Sequence, residues 1–232
     1  MYNANASGIL IGHPETKDSL AVVNNKLKEI INLQQKHPQA LPFNVIMMGE
    51  TLEEFEKFSL HEIAQLMKDQ CTEMFKDIPD EFIKQALFIY EPKWITDSDD
   101  QLPPSPKLIS RVTNKMRDFL TDRLSGEGFK VSLMYGEVST PERAVEILAD
   151  ENLQGIMIGV ASQSSTQLLE YVKAIQYAYD KRKIILVCNF KSLVLSESYQ
   201  EYISALDIVP DNFTIYFAVP ATDIRYLVKI TT

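Results

Sequence analysis

Short apolar segments that alternate with amphipathic segments are the feature that most constrains the fold of this chain. Seven such segments, each about five residues long and rich in Ile, Val, Leu or Tyr, end near Gly, Pro, Asn or Glu. This pattern is typical of strands that are buried on both faces of a parallel sheet. The predicted strands occupy residues 8–12, 43–48, 86–90, 130–135, 155–159, 183–188 and 214–219.

The segments between the predicted strands have the apolar spacing of amphipathic helices. Apolar residues recur at intervals of three and four, as in the stripe formed by Leu20, Val23 and Leu27. Thr140 and Pro141 are typical of an N-cap and a first helical residue. Strands that alternate with helices predict an α/β fold with a parallel sheet. At this point a doubly wound sheet and a closed barrel both remain open, although a barrel usually has eight units and about 250 residues.

Composition narrows the class of protein. The 232 residues include 23 Lys and Arg and 32 Asp and Glu, a net charge of −9, which argues against binding to nucleic acid or to a membrane surface. No apolar segment approaches the roughly 18–20 residues of a membrane span, and no secretory signal is recognisable. Cys71 and Cys188 alone predict neither a disulfide framework nor a zinc site. We therefore expect a cytoplasmic protein with a single domain over residues 1–232, because no Pro/Gly/Ser-rich linker divides the chain.

Polar residues follow the predicted strands directly. His13 follows the first strand, Glu91 the third, and Asn189 and Lys191 the sixth. Function in such folds lies at the carboxyl ends of the strands. A carboxylate can move a proton next to a carbonyl group, a neutral imidazole can polarise that carbonyl, and an ammonium group can stabilise the enediolate. The set therefore favours an enzyme that transfers protons.

The same segments resemble motifs of the triosephosphate isomerase family. LIGHPE (10–15) resembles its GHSE segment, YEPKW (90–94) its YEPVW, NFK (189–191) its NWK, MMGE (47–50) its CIGE, YG (135–136) its YGGS and GIMIGVAS (155–162) its GALVGGAS. The resemblance covers nearly the whole chain. It implies a TIM-type (β/α) barrel that interconverts dihydroxyacetone phosphate and glyceraldehyde 3-phosphate without a cofactor or metal, a reaction of glycolysis and gluconeogenesis.

The order of the motifs differs from that of the family. There NWK precedes the His segment, whereas here Asn189 follows His13. We interpret this order as a circular permutation that leaves seven recognisable strand–helix units and removes the third. Residues 1–6 or 229–232 are then expected to fill the gap. Because the third loop serves dimerisation in the family, its loss implies a monomer or an atypical homodimer.

The resemblance also implies a role for each site residue. Glu91 would move the proton between two carbons, and His13 would polarise the carbonyl as a neutral electrophile. Lys191, counted with these two as catalytic, and Asn189 would bind the substrate oxygens, and Glu15 would be a supporting carboxylate. The remaining implied residues are the lid hinge Pro92 and Trp94 and the substrate-binding backbone at Gly136, Gly159 and Val160.

Several residues differ from the family's sequence in the segments that would bind the substrate phosphate. The lid segment 95–101 carries three Asp residues where the family has a Gly-rich tip and a Lys, and Glu137 and Val138 replace Gly and Ser of YGGS. Negative charge there opposes a phosphate dianion. Two alternatives therefore stay open beside the isomerase: a weakly active or non-enzymatic homologue that acts as a binding protein, and an aldose–ketose isomerase for an unphosphorylated substrate.

Overall fold

The computed structural model describes residues 8–37, 43–96, 103–191, 195, 197–224 and 227. These residues belong to two compact units, one of residues 8–135 and the other of residues 136–227. Seven strands and eight α-helices are found among them. The single domain expected over residues 1–232 stays a prediction.

The first unit contains four parallel strands. They are β1 (Gly8–Ile11), β2 (Phe43–Met48), β3 (Ala86–Tyr90) and β4 (Ser132–Tyr135), and they pair in that order. Every residue of β3 is buried, which agrees with its uninterrupted apolar sequence. The parallel register places the carboxyl ends of β2 and β3 side by side, with Met48 opposite Tyr90.

Helices follow each of the first three strands of this unit. They are α1 (Leu20–Lys36), α2 (Leu52–Lys57), α3 (Leu60–Met74), α4 (Asp80–Lys84) and α5 (Pro106–Arg123). Side chains of Ser or Thr cap the first turns of all but α4, which satisfies backbone amides that the helix leaves unbonded. Helices α3 and α5 pack against each other, and α1 also packs on α3.

The second unit contains three parallel strands in the order β5, β6, β7. Their bounds are β5 (Gly155–Ile158), β6 (Ile184–Asn189) and β7 (Phe213–Ala218), and the helices are α6 (Pro141–Leu148), α7 (Ser165–Ala178) and α8 (Tyr199–Ala205). The Thr140 hydroxyl accepts a hydrogen bond from the Arg143 amide at 3.2 Å, and Pro141 is the first helical residue. The predicted helix start is thus confirmed.

Burial on both faces, predicted for all seven strands, is wrong for β1 and β7. The first three residues of β1 are only half-buried, and Thr214 in β7 is exposed. Within the described residues, β1 pairs only with β2, and β7 only with β6. A strand with one neighbour has fewer residues packed around it, so its apolar sequence does not guarantee burial.

Some predictions fall on residues outside the described ranges. These are the segments 1–6 and 229–232 expected to fill the gap, and most of the acidic lid segment 95–101. Among the described helices, none is long and apolar enough to cross a membrane.

Candidate active site

Glu91 lies directly beyond the carboxyl end of β3 and is almost fully buried, with 1% of its surface exposed. Its amide donates a hydrogen bond to the Met48 carbonyl at 2.8 Å, which continues the β2–β3 pairing past the last strand residue. The Lys93 amide donates to the Glu50 carbonyl, also at 2.8 Å. Two backbone bonds to the end of β2 therefore fix the peptide on both sides of Glu91.

Gly49 allows this close approach. A Cβ atom at Gly49 would lie 1.8 Å from the Glu91 carbonyl oxygen and 2.9 Å from the Pro92 Cα. No side chain fits there unless the Glu91 loop moves away. The MMGE motif contains Gly49, but the reason for glycine at this position is visible only in the three-dimensional structure.

Glu50 is a site residue that the role assignment from sequence missed. Its carboxyl group is fully buried, and Oε1 accepts hydrogen bonds from the Trp94 indole Nε1 at 3.0 Å and the Tyr90 hydroxyl at 3.2 Å. Burial raises the pKa of the Glu50 carboxyl above its usual value, and the hydrogen bonds from Trp94 and Tyr90 oppose that rise. Burial also raises the pKa of Tyr90 well above its usual value. The sequence signal that could have identified Glu50 is its position directly after β2.

Trp94, predicted as a lid hinge with Pro92, is buried in the short 3-10 helix Lys93–Thr96. Its ring packs on Phe55 of α2 with centroids 4.4 Å apart. Pro92 is buried as well. Most of the lid segment that they would move lies outside the described residues, so the hinge role of Pro92 and Trp94 stays a prediction.

His13 begins a 3-10 turn, Pro14–Thr16, directly beyond β1. The imidazole is buried, and its Nδ1 accepts a hydrogen bond from the Glu15 amide at 3.3 Å. A nitrogen that accepts this bond carries no proton, so the neutral ring has its hydrogen on Nε2. The Glu15 side chain is exposed, and the Glu15 backbone amide makes the hydrogen bond to His13. The turn packs against Lys93–Thr96, which brings the loops of His13 and Glu91 together.

The second unit holds the predicted phosphate segments. Gly136 is buried, and Glu137 adopts a positive φ of 54°, a conformation that costs a non-glycine residue about 1 kcal/mol. Of the described atoms, Glu137 Oε2 is the one that a Cβ atom at Gly159 would contact, at 3.7 Å. The Glu137 carboxylate thus lies close to the Gly159 backbone. Val160 is 63% exposed at the start of the following 3-10 turn.

Asn189 and Lys191 flank a buried aromatic anchor. Phe190 packs against Tyr202 and Phe217, with ring centroids 5.3 and 5.6 Å away. The Asn189 Oδ1 accepts a hydrogen bond from the Lys191 amide at 3.1 Å, and Lys191 has a φ of 51°. These contacts fix the backbone of the loop in a tight turn.

A side-chain contact connects this loop to the Gly159 turn. Gln163 Nε2 donates to the Phe190 carbonyl at 3.3 Å. The structure therefore brings Gly159, Val160, Asn189 and Lys191 into neighbouring loops of the second unit. His13, Glu91, Pro92 and Trp94 lie in neighbouring loops of the first. Within the described part of the chain, no group of three His, Cys, Asp or Glu side chains could hold a metal ion.

Comparison with solved structures defines the class of fold. Triosephosphate isomerase from Bartonella henselae superposes with a TM-score of 0.59 at 24% identity, over 75% of this chain and 66% of that one. The parallel strands and intervening helices described above are therefore those of a TIM-type α/β barrel, as predicted.

The family follows from the sequence comparison. The model of the triosephosphate isomerase family matches residues 1–175, and this chain belongs to that family. The match includes His13, Glu91 and Gly159 and ends before Asn189 and Lys191. The circular permutation, which concerns the later segment, stays a prediction.

Curated relatives are similar at low identity. The triosephosphate isomerase of Bartonella bacilliformis is 29% identical over 174 residues, which cover 73% of this chain and 63% of that protein. The enzyme of Mycoplasmoides gallisepticum is 23% identical over 172 residues, covering 72% and 63%. The chain thus spans a little under two-thirds of the length of these relatives.

Proposed function

We propose that this chain is a triosephosphate isomerase that interconverts dihydroxyacetone phosphate and glyceraldehyde 3-phosphate through an enediolate. The observation that carries the proposal is the buried Glu91 carboxyl at the end of β3, within the segment that matches the family. A base at this place removes a proton from the carbon beside the carbonyl and returns it to the neighbouring carbon. The reaction is a redistribution of protons, so it needs no redox partner.

His13 has the properties of the electrophile in this reaction. Its Nδ1 accepts a hydrogen bond from the Glu15 amide, so the proton of the neutral ring is on Nε2. A neutral imidazole donor polarises the substrate carbonyl and later exchanges a proton with the enediolate oxygens. We assign Glu15 a supporting role through the backbone turn that it shares with His13.

The substrate-binding groups that we assign come from the later part of the sequence. Lys191 provides positive charge for the enediolate, and Asn189 shapes the Lys191 loop through its hydrogen bond to the Lys191 amide. Gly136, Gly159 and Val160 present backbone groups to the phosphate. The triose phosphate substrate, the cytoplasmic location and a monomeric or atypically dimeric state are parts of the same proposal.

A coupled isomerase assay of Glu91→Gln tests the role of the base. Glutamine preserves the size of the side chain and the backbone bond to Met48, but it cannot accept the proton. We expect kcat to fall by at least about 1,000-fold with unchanged thermal unfolding. Glu73→Gln on the exposed face of α3 is the matched control and should retain wild-type turnover. Wild-type turnover in Glu91→Gln would exclude Glu91 as the base.

One observation favours a second candidate, the homologue with an impaired phosphate site. The Glu137 carboxylate lies next to Gly159, where a phosphate would meet a like charge. Glu137→Gly removes both the charge and the positive-φ strain, and it avoids changing the buried Val138. A large rise in kcat/KM for glyceraldehyde 3-phosphate would show that repulsion limits an intact catalyst.

The same variant also tests the third hypothesis, in which the protein is an isomerase for unphosphorylated substrates. If wild-type protein converts glyceraldehyde and dihydroxyacetone better than their phosphates, and Glu137→Gly reverses that preference, Glu137 selects against phosphate. If both proteins are folded and neither converts any triose, that result would favour the hypothesis of a binding protein over that of an isomerase.

A further inference from the structure

The Glu50 carboxyl group connects the two residues that flank the Glu91 segment. Its Oε1 accepts from the Tyr90 hydroxyl, just before Glu91, and from the Trp94 indole, three residues after it. The Lys93 amide also donates to the Glu50 backbone carbonyl. One residue at the end of β2 therefore holds the Glu91 loop at three points.

The surroundings of this carboxyl favour its neutral form. Glu50 has no exposed surface, and its Oε2 has no hydrogen-bond partner among the described residues. Among the described residues, the groups that act on it are Trp94 and Tyr90, its own backbone and the like charge of Glu54 on α2, and none of these is a cation. An ionised carboxylate with an unbonded buried oxygen is much less favourable there than a carboxylic acid, whose carbonyl oxygen still accepts both bonds.

The two donors are themselves fixed by aromatic packing. The Tyr90 ring meets Tyr135 edge-on at 5.9 Å, and the Trp94 ring lies 4.4 Å from Phe55. Each ring is thus held both by an aromatic neighbour and by the same carboxyl oxygen. This arrangement defines where the chain enters and leaves the Glu91 segment.

We propose that Glu50 is a positioning residue, a neutral carboxylic acid that holds Tyr90 and Trp94 and so fixes the Glu91 side chain for proton transfer. The proposal rests on the proposed function for the role of Glu91. Glu50 need not touch the substrate; it acts through the loop.

The test compares Glu50→Gln with Glu50→Leu. Glutamine keeps a neutral carbonyl acceptor, whereas leucine removes it at similar volume. We expect Glu50→Gln to keep kcat within about threefold, and Glu50→Leu to lose about 100-fold in kcat with KM nearly unchanged, because the base is misplaced while substrate binding persists. Glu73→Gln again serves as the exposed control.

Trp94 gives a readout that does not depend on turnover, because it is the only tryptophan in the chain. Loss of the Glu50 acceptor should shift the emission of Trp94 in Glu50→Leu but not in Glu50→Gln. The infrared spectrum of the wild type at neutral pH should contain the carbonyl stretch of a buried carboxylic acid. That band should disappear in Glu50→Gln, which folds with its bonds intact, and persist in Glu73→Gln.

The outcomes separate this inference from the proposed function. Absence of the acid band, or equal damage by Gln and Leu, would show that Glu50 works as a charge and would overturn the inference. Unchanged kcat and emission in Glu50→Leu would overturn the positioning role even in an active isomerase. If the wild type showed no turnover, the proposed function would fail, while the infrared band and the Trp94 emission would still decide whether Glu50 is neutral and holds Trp94.

Discussion

Gly49→Ala is the substitution whose effect follows most directly from the geometry. The new methyl group would overlap the Glu91 carbonyl oxygen, which lies 1.8 Å from the Cβ position, and the Glu91 carbonyl carbon at 2.5 Å. The obstructing atoms are backbone, so no side-chain rotation relieves the overlap. The Glu91 loop must retreat by about 1.5 Å to reach an ordinary van der Waals separation.

Such a shift has two consequences of different size. A displacement of about 1 Å in a reacting group costs roughly 100-fold in rate, which corresponds to about 2.7 kcal/mol in the activation free energy. Overpacking in a close-packed region lowers the free energy of unfolding by about 1–3 kcal/mol. For a chain of this length each kcal/mol lowers Tm by roughly 2–4 °C.

The assay is isomerase turnover and thermal unfolding of Gly49→Ala beside Gly126→Ala. Gly126 has a φ of 91°, and in the described part of the chain no atom lies within 4 Å of where its Cβ atom would be, so alanine there introduces strain of about 1–2 kcal/mol without contact near Glu91. The control should lose stability and keep kcat, whereas Gly49→Ala should lose both. Wild-type kcat in a folded Gly49→Ala protein would refute the reasoning.

Three further predictions concern stability. At the start of α7 the Ser165 amide and hydroxyl each donate a hydrogen bond of 2.8 Å to the Glu197 carboxylate, and Glu197→Ala removes this acceptor. Urea unfolding should show that the free energy of unfolding falls by about 1–2 kcal/mol, and an unchanged value would exclude a capping role for Glu197. Arg182→Met removes the guanidinium donor from the carbonyls of Leu148, Asp150 and Leu153, of which Asp150 keeps a second donor, the Leu153 amide. This change should cost about 2–3 kcal/mol in the same measurement, and a loss below about 0.5 kcal/mol would contradict the prediction. Burial raises the pKa of Tyr171 to about 12, so the folded state holds this proton more tightly than the unfolded chain; its contribution is complete below pH about 10 and is lost as pH rises towards 12. The stability difference between wild type and Tyr171→Phe should therefore shrink above pH about 10 in pH-jump unfolding, and a constant difference would argue against the shift.

The sequence predicted the strands well because each is a continuous apolar segment bounded by turn residues. It placed β2 and β3 at the residues that the structure gives, and the Thr140–Pro141 helix start was read from local chemistry alone. It overstated the burial of β1 and β7, because burial depends on neighbouring strands, which no local pattern encodes.

The candidate site was predicted in part. The strand-end positions of His13 and Glu91 followed from the order of strands, but the importance of Glu50 did not, since its partners Tyr90 and Trp94 are 40 and 44 residues away. The acceptor state of the His13 imidazole likewise depends on the turn that follows it. The roles of all site residues remain proposals for the experiments above.

By itself, the sequence determined the alternation of strands and helices, the helix caps and the residues at the strand ends, because these follow from side-chain pattern and local backbone preference. Only the tertiary structure decided which groups lose contact with water and which atoms come within van der Waals distance. Burial made the Glu50 carboxyl an unfavourable place for charge, and the approach of the Glu91 loop left room only for hydrogen at Gly49. Both effects arise from atoms far apart in the chain that folding brings together.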